Sequence, residues 1–68
     1  MRPNGEAIRE IRRAKELTLA DIQTATGLHT GYLSELERGL KGARPRTLRK
    51  IANALHVTVS TITRDDPS

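Results

Sequence analysis

The chain has 68 residues and a net charge of +4, with a pI near 10.4. At this length we expect one domain with a small core. Because the sequence has no cysteine, it can form neither a disulfide nor a cysteine-based zinc site. No apolar run approaches the roughly 18 residues of a membrane span, and the N-terminal segment lacks the apolar stretch of a signal peptide. We therefore expect a cytoplasmic protein without membrane contact.

Basic residues cluster in one part of the sequence. Residues 18–37 carry three acidic groups and no lysine or arginine, whereas residues 38–50, RGLKGARPRTLRK, carry six basic groups and no acid. We call these six cations the basic block. Such a block is either a solvated face or a phosphate-binding surface, since clustered cations release the counterions of a polyanion. Tyr32 is the only aromatic residue, which argues against stacking of single-stranded bases but not against binding of a duplex.

The first two predicted helices are bounded by capping residues. The first should run over about residues 4–16, with Asn4 as its N-cap. The second should begin at Thr18, because the segment TLAD forms a capping box in which Asp21 reaches back. It should end before Gly27, since a residue without Cβ suits a left-handed helix end.

A third short helix should fill about residues 29–38 and end at Gly39. Leu33 and Leu36 are its apolar positions and face inward, so residues 30, 31, 34 and 35 face outward. The segment GLKGARP that follows has two glycines and a proline in seven residues, which predicts a loop.

A fourth helix should begin near Pro45 or Arg46, since proline suits a first turn. One buried stripe is formed by Leu48, Ile51, Ala52 and Leu55.

The segment HVTVSTIT is ambiguous, because β-branched residues favour a strand while Thr58 is a possible cap for a fifth helix. A strand without a partner is unfavourable in a helical chain. We therefore predict an all-α, compact five-helix domain over residues 4–63 and a flexible tail over residues 64–68.

Two short helices separated by a glycine turn are typical of a helix-turn-helix, although any small helical bundle contains such turns. The run LTLADIQTATGLHTGYLSELERG, preceded by IREIRR and followed by RPRTLRKIANAL, resembles the Xre/Cro-like family of phage-repressor type. The resemblance covers about residues 7–62. It depends on the spacing of Thr18, Ile22, Gly27, Leu33, Ser34, Leu36, Glu37 and Gly39.

The resemblance implies that the third helix lies in the DNA major groove with its N-terminal half at the base edges. The base-contacting residues it implies are Thr30, Gly31, Tyr32 and Glu35. Glu35 is otherwise a solvated carboxylate, and Tyr32 a partly buried ring with its hydroxyl outside. The phosphate or minor-groove contacts it implies are Ser34, Arg38, Lys41, Arg44 and Arg46.

The resemblance also assigns Arg12 and Glu37 to a structural ion pair that orients the third helix. Three positions depart from the family pattern. Gln23 stands where alanine is usual, so either the two helices lie further apart or the amide turns outward and bonds the next helix. Leu19 replaces a common glutamine, and His56 replaces glycine in a turn that is then strained.

We interpret the chain as a sequence-specific regulator of transcription that binds double-stranded DNA, most simply as a nucleoid-associated repressor. Operator specificity requires a homodimer or paired copies, and Val57, Val59 and Ile62 form either an apolar dimer contact or part of the core. The alternatives are an antitoxin with a toxin partner and autoregulatory DNA binding, or an RNA- or ribosome-bound protein. An enzyme is not expected, because His29 and His56 lack metal-ligand spacing. We expect no catalytic residue, metal, cofactor or small-molecule ligand.

Overall fold

A computed structural model describes residues 2–64, which form four α-helices, one 3₁₀ turn and a two-stranded ribbon. The elements are β1 (Arg2–Pro3), α1 (Gly5–Ala14), α2 (Leu19–Thr26), α3 (Thr30–Glu37), α4 (Pro45–Leu55), the 3₁₀ turn (Val59–Ile62) and β2 (Thr63–Arg64). The strands β1 and β2 pair antiparallel, so the two ends of the described chain lie side by side. The four main predicted helices are confirmed in a mostly helical fold, which also contains this short ribbon where an all-α chain was predicted.

The predicted N-caps of α1 and α2 are confirmed. The Asn4 side chain accepts a hydrogen bond from the Ala7 backbone N–H at 3.1 Å. At α2, Thr18 Oγ1 accepts from Asp21 N at 3.1 Å, and the Asp21 carboxylate accepts from Thr18 N at 2.8 Å. Each cap satisfies an N–H group that has no carbonyl partner in the first turn of the helix. Local sequence is therefore sufficient to start these two helices.

Left-handed residues end the helices and turn the chain. Gly27 ends α2 with φ 78°, as predicted, and Gly39 follows α3 with φ 77°. Helix α1 ends at Ala14, two residues earlier than predicted, because Glu16 adopts φ 57°. This turn lets the Leu17 N–H donate to the Arg12 carbonyl at 3.0 Å. It folds the α1–α2 connection back over the side chain of Arg12.

The core lies between the four helices and the 3₁₀ turn. Helix α4 is its centre, because four of its side chains are buried at the predicted spacing. Leu48, Ile51 and Leu55 have no exposed surface. The buried apolar residues are Ile8, Ile22, Leu33, Leu36, Leu48, Ile51, Ala52, Leu55 and Ile62.

The prediction of a fifth α-helix was wrong. Thr58 precedes a 3₁₀ turn of only four residues, and the chain then becomes extended at Thr63 and Arg64. The extension is stabilised by the Asn4 N–H, which donates to the Ile62 carbonyl at 2.8 Å, and by pairing with β1. The sequence did not reveal the partner strand, because two residues are too few to show a periodic pattern. Of the predicted tail, Arg64 lies in β2, and residues 65–68 lie outside the described residues.

The C-terminal apolar residues pack into or against the core and leave little surface for a dimer contact. Ile62 has no exposed surface, so it cannot contribute to a contact between two copies in this conformation. Val57 and Val59 are half-buried and pack against the core. Within residues 2–64, Leu40 in the α3–α4 loop is the large hydrophobic residue that is exposed, at 63%. Of Val57, Val59 and Ile62, which were predicted to form either a dimer contact or part of the core, Ile62 is therefore part of the core and unavailable to a second copy.

Candidate nucleic-acid interface

A three-residue turn sets the angle between α2 and α3. Gly27 supplies the left-handed conformation, and the Thr26 hydroxyl stabilises the turn from within. This hydroxyl donates to the Ile22 carbonyl at 2.7 Å and accepts from the Leu28 N–H at 3.1 Å. The helices therefore cannot straighten into one continuous helix, and α3 projects from α2 as a separate short element.

The C-terminal end of α3 is tied to α1 by a buried ion pair. Arg12 Nε and Nη2 donate to the two carboxylate oxygens of Glu37 at 2.7 and 3.0 Å. The side chains of Arg12 and Glu37 are only 12% and 6% exposed. Arg12 Nη1 also donates to the Leu17 carbonyl at 2.8 Å, and the hydrogen bond to Glu37 raises the pKa of Arg12. One guanidinium thus joins α1, the α1–α2 connection and the end of α3.

Gly5 brings α1 close to the same end of α3. A Cβ at this position would clash with the carbonyl oxygens of Leu36 and Glu37. A side chain would therefore push the two helices apart. This role of Gly5 was not predicted from the sequence. A glycine in the first turn, directly after the Asn4 cap, was the available signal.

Two side-chain hydrogen bonds add to the packing of Leu28 and Tyr32 in holding the N-terminal turn of α3. The His29 Nδ1 accepts from the Gly31 N–H at 3.0 Å, and the Gln23 Oε1 of α2 accepts from the Thr30 N–H at 3.0 Å. Of the two alternatives for Gln23, the outward amide that bonds the next helix is therefore confirmed.

The predicted base-contacting residues lie along the solvent side of α3. Gly31 is exposed, and Thr30, Tyr32 and Glu35 are half-buried, as is the neighbouring Ser34. Leu33 and Leu36, by contrast, are 2% and 1% exposed and point into the core. The outward orientation expected from the positions of Leu33 and Leu36 is confirmed.

Two contacts connect this face of α3 with the loop that follows. The Tyr32 hydroxyl donates to the Gly42 carbonyl at 2.9 Å. Glu35 and Lys41 form an exposed ion pair at 3.8 Å, which is a weak contact at the protein surface. Tyr32 therefore holds the α3–α4 loop against α3, while its half-buried ring packs against the core with its hydroxyl outside.

All six cations of the basic block are exposed. Arg38 and Lys41 line an open groove of about 710 Å³ that also borders Arg9 of α1. Helix α4 begins at Pro45 with no side-chain cap, and Arg44 precedes it in an extended conformation. The free N–H groups of this first turn carry the partial positive charge of the helix end. The positive surface therefore comprises both side chains and a helix N-terminus.

Within residues 2–64, no helix is both long enough and apolar enough to cross a membrane. The same part of the chain contains no group of three or more histidine, aspartate or glutamate side chains that could hold a metal ion.

The arrangement of α2, the glycine turn and an outward-facing α3 is a helix-turn-helix. The helix-turn-helix family model (HTH_3) matches residues 8–62, and the chain belongs to this Xre/Cro-like family. It is 40% identical over 60 residues to an uncharacterized HTH-type transcriptional regulator of Mycobacterium tuberculosis. The match covers 88% of this chain and 23% of that relative, so the chain spans about a quarter of the relative's length.

Two solved structures share the fold over most of both chains. The restriction-modification controller protein C.AhdI from Aeromonas hydrophila has a TM-score of 0.80 and 30% identity, covering 84% of this chain and 86% of that one. The master regulator for biofilm formation SinR, solved in complex with DNA, has a TM-score of 0.78 and 31% identity, covering 84% and 92%. These proteins are regulators by name, so they do not favour the antitoxin alternative.

Proposed function

We propose that the chain is a sequence-specific DNA-binding module that represses transcription by occupying an operator. The observation that carries the proposal is the solvent-facing α3, which is locked to α1 by Arg12 and Glu37 and flanked by the exposed basic block. A short helix held rigidly outward can enter the major groove, which is wide enough to admit an α-helix. The structure of SinR in complex with DNA is the related case that supports this use of the fold.

Base readout is assigned to the N-terminal half of α3. The Thr30 hydroxyl can bond a base, and its methyl group can contact the methyl group of thymine. Glu35 can accept from the amino group of cytosine, and its distance of 3.8 Å to Lys41 allows it to leave that ion pair at small cost. Gly31 allows close approach of the helix to the groove, and Tyr32 lines the adjacent edge.

Phosphate binding is assigned to Ser34 and the first part of the basic block. Arg38 and Lys41 follow α3 directly, while Arg44 and Arg46 flank the uncapped start of α4. Phosphates are favoured at such helix ends, because N–H groups and arginine side chains converge there. Arg46, in the first turn of α4, is the candidate for insertion into the minor groove.

One module of this size reads few base pairs, so we propose that two copies act on half-sites about one helical turn of DNA apart. With Ile62 buried, the contact between copies has little apolar surface near the 3₁₀ turn. We therefore expect weak dimers in free solution and cooperative pairing on DNA. Sedimentation of the protein with and without a two-half-site duplex measures both states.

Selection of bound sites from a random duplex library, followed by titration at several salt concentrations, tests the proposed function. We expect one enriched half-site and a steep fall of affinity with salt. Each phosphate contact contributes about −0.9 to the slope of log K against log [salt]. Single-stranded RNA of random sequence serves as the competing ligand. No enrichment, together with no duplex binding at low salt, would exclude the proposal.

Alanine variants separate the two kinds of contact. Arg46→Ala should weaken binding to selected and random duplexes alike and reduce the magnitude of the salt slope by about 1. Glu35→Ala should instead alter the preferred base at one position. Arg13→Ala removes an exposed cation of α1 that lies outside the basic block and is the matched control. Equal effects of Glu35→Ala on selected and random duplexes would remove Glu35 from the readout.

A further inference from the structure

The part of α3 that is proposed to read DNA is the part with the least apolar anchoring. The buried residues of α3 are Leu33, Leu36 and Glu37, and all lie beyond its first turn. In that first turn, Thr30 and Tyr32 are half-buried and Gly31 is exposed. Core packing therefore fixes the C-terminal half of α3. In the N-terminal turn the half-buried Tyr32 packs against the core, and hydrogen bonds add to the anchoring of this turn.

Two of those contacts come from side chains that the proposed interface does not include. The N–H groups of the first turn have no helical carbonyl to bond. The Thr30 N–H donates to Gln23 Oε1, and the Gly31 N–H donates to His29 Nδ1, each at 3.0 Å. His29 belongs to α3 itself, as its N-cap. Gln23 lies on α2, so its hydrogen bond joins the two helices of the motif.

The orientation of the Gln23 amide follows from chemistry alone. A backbone N–H can only donate, so the oxygen of the amide has to face Thr30. The amide nitrogen then lies on the far side of the same planar group. It makes no hydrogen bond to any residue within the described 2–64. The acceptor oxygen is therefore the atom through which Gln23 acts on α3.

Building on the proposed function, we infer that Gln23 is a positioning residue for sequence readout. It holds the Thr30 backbone close to α2 and thereby sets how the first turn of α3 meets the base edges. Loss of this hydrogen bond leaves the basic block unchanged. It therefore lowers affinity for the selected half-site, whereas binding to random duplex, which depends on phosphates, is retained.

The test compares Gln23→Ala, which removes the acceptor, with Gln23→Glu, which keeps an oxygen at the same reach. Selectivity is the ratio of affinities for the selected half-site and a random duplex at one salt concentration. We expect Gln23→Ala to reduce this ratio about three- to tenfold, the effect of one backbone hydrogen bond. Gln23→Glu should lower affinity for both duplexes, because its charge repels phosphate, but should restore the ratio toward the wild-type value.

Two further measurements make the result specific. Hydrogen exchange of the Thr30 amide in the free protein should be slowed in the wild type and Gln23→Glu, and faster in Gln23→Ala. Thr24→Ala is the matched control, because the exposed Thr24 hydroxyl bonds the Ala20 carbonyl within α2 and does not reach α3. It should leave the selectivity ratio unchanged.

The outcomes distinguish this inference from the proposed function. A selective wild type together with an equally selective Gln23→Ala would overturn the role of Gln23 alone. The same conclusion follows if Gln23→Glu is as unselective as Gln23→Ala, or if the Thr30 amide exchanges equally fast in all variants. A wild type that prefers no duplex sequence would overturn the proposed function, and the role of Gln23 in readout with it.

Discussion

Replacement of Glu37 by alanine should remove a large part of the stability of the fold. The variant leaves the Arg12 guanidinium, whose side chain is 12% exposed in the wild type, with the Leu17 carbonyl as its remaining protein partner. Breaking a buried pair by removing one partner costs about 3–5 kcal/mol. Because Arg12 keeps one hydrogen bond and some contact with water, we expect the lower end, about 3 kcal/mol.

This loss is large relative to the total free energy of unfolding expected for a chain of this length. At about 0.05–0.15 kcal/mol per residue, 68 residues correspond to a free energy of unfolding of about 3–10 kcal/mol. A shift of 4–8 °C per kcal/mol, typical of such small domains, predicts a fall in Tm of about 12–24 °C. Thermal unfolding followed by far-ultraviolet circular dichroism measures this shift directly.

The matched control is Glu10→Ala, which removes an exposed carboxylate from α1 and should change stability by less than about 0.5 kcal/mol. The double variant Arg12→Met, Glu37→Leu should be more stable than Glu37→Ala, since it leaves no unpaired buried charge. A Glu37→Ala variant that melts within about 4 °C of the wild type would refute the reasoning. It would mean that water or a rearranged side chain solvates Arg12 at little cost.

Three further predictions concern caps and turns. The Thr18 backbone N–H lowers the pKa of Asp21 by hydrogen bonding, so the stabilisation by Asp21 is present at neutral pH and is lost as the pH falls below about 4. The Tm difference between the wild type and Asp21→Ala should therefore shrink on acidification. A constant difference would contradict this prediction. His56→Gly should raise the free energy of unfolding by about 0.5–1 kcal/mol in denaturant titrations, because His56 has φ 57°. A lower free energy of unfolding would show instead that the His56 side chain contributes stabilising contacts. Gly31→Ala adds a Cβ 3.3 Å from His29 Nδ1, so the gain in stability from helix propensity should stay below about 1 kcal/mol. The affinity for the selected half-site should fall. Unchanged affinity would show that Gly31 is not needed for close approach of α3 to the groove.

The positions of the caps and of the buried stripe were predictable because they depend on neighbours in the sequence. Thr18 and Asp21 are three residues apart and meet in any helix that begins there. Leu48, Ile51, Ala52 and Leu55 recur at helical spacing and are all buried. The orientation of α3 was predictable for the same reason, since burial of Leu33 and Leu36 leaves the opposite side to solvent.

The C-terminal segment was less predictable because its partner is distant in the sequence. Its β-branched residues are compatible with a strand or a short helix, and the pairing with Arg2 and Pro3 makes part of it extended. The close approach of Gly5 to the end of α3 is likewise a contact between residues more than 30 positions apart. The strand pairing has no local signal, and the glycine after the Asn4 cap does not by itself identify its partner at the end of α3.

By itself, the sequence determined the four helices, the N-caps of α1 and α2, the buried stripe of α4 and the separation of the acidic and basic segments. Each of these follows from residues a few positions apart. The tertiary structure decided that Gln23 bonds Thr30, that the C-terminal segment forms a 3₁₀ turn and a strand, and that Ile62 is unavailable to a partner. Those outcomes depend on how whole elements meet, because hydrogen-bond acceptors and buried surfaces from distant parts of the chain come together only after folding.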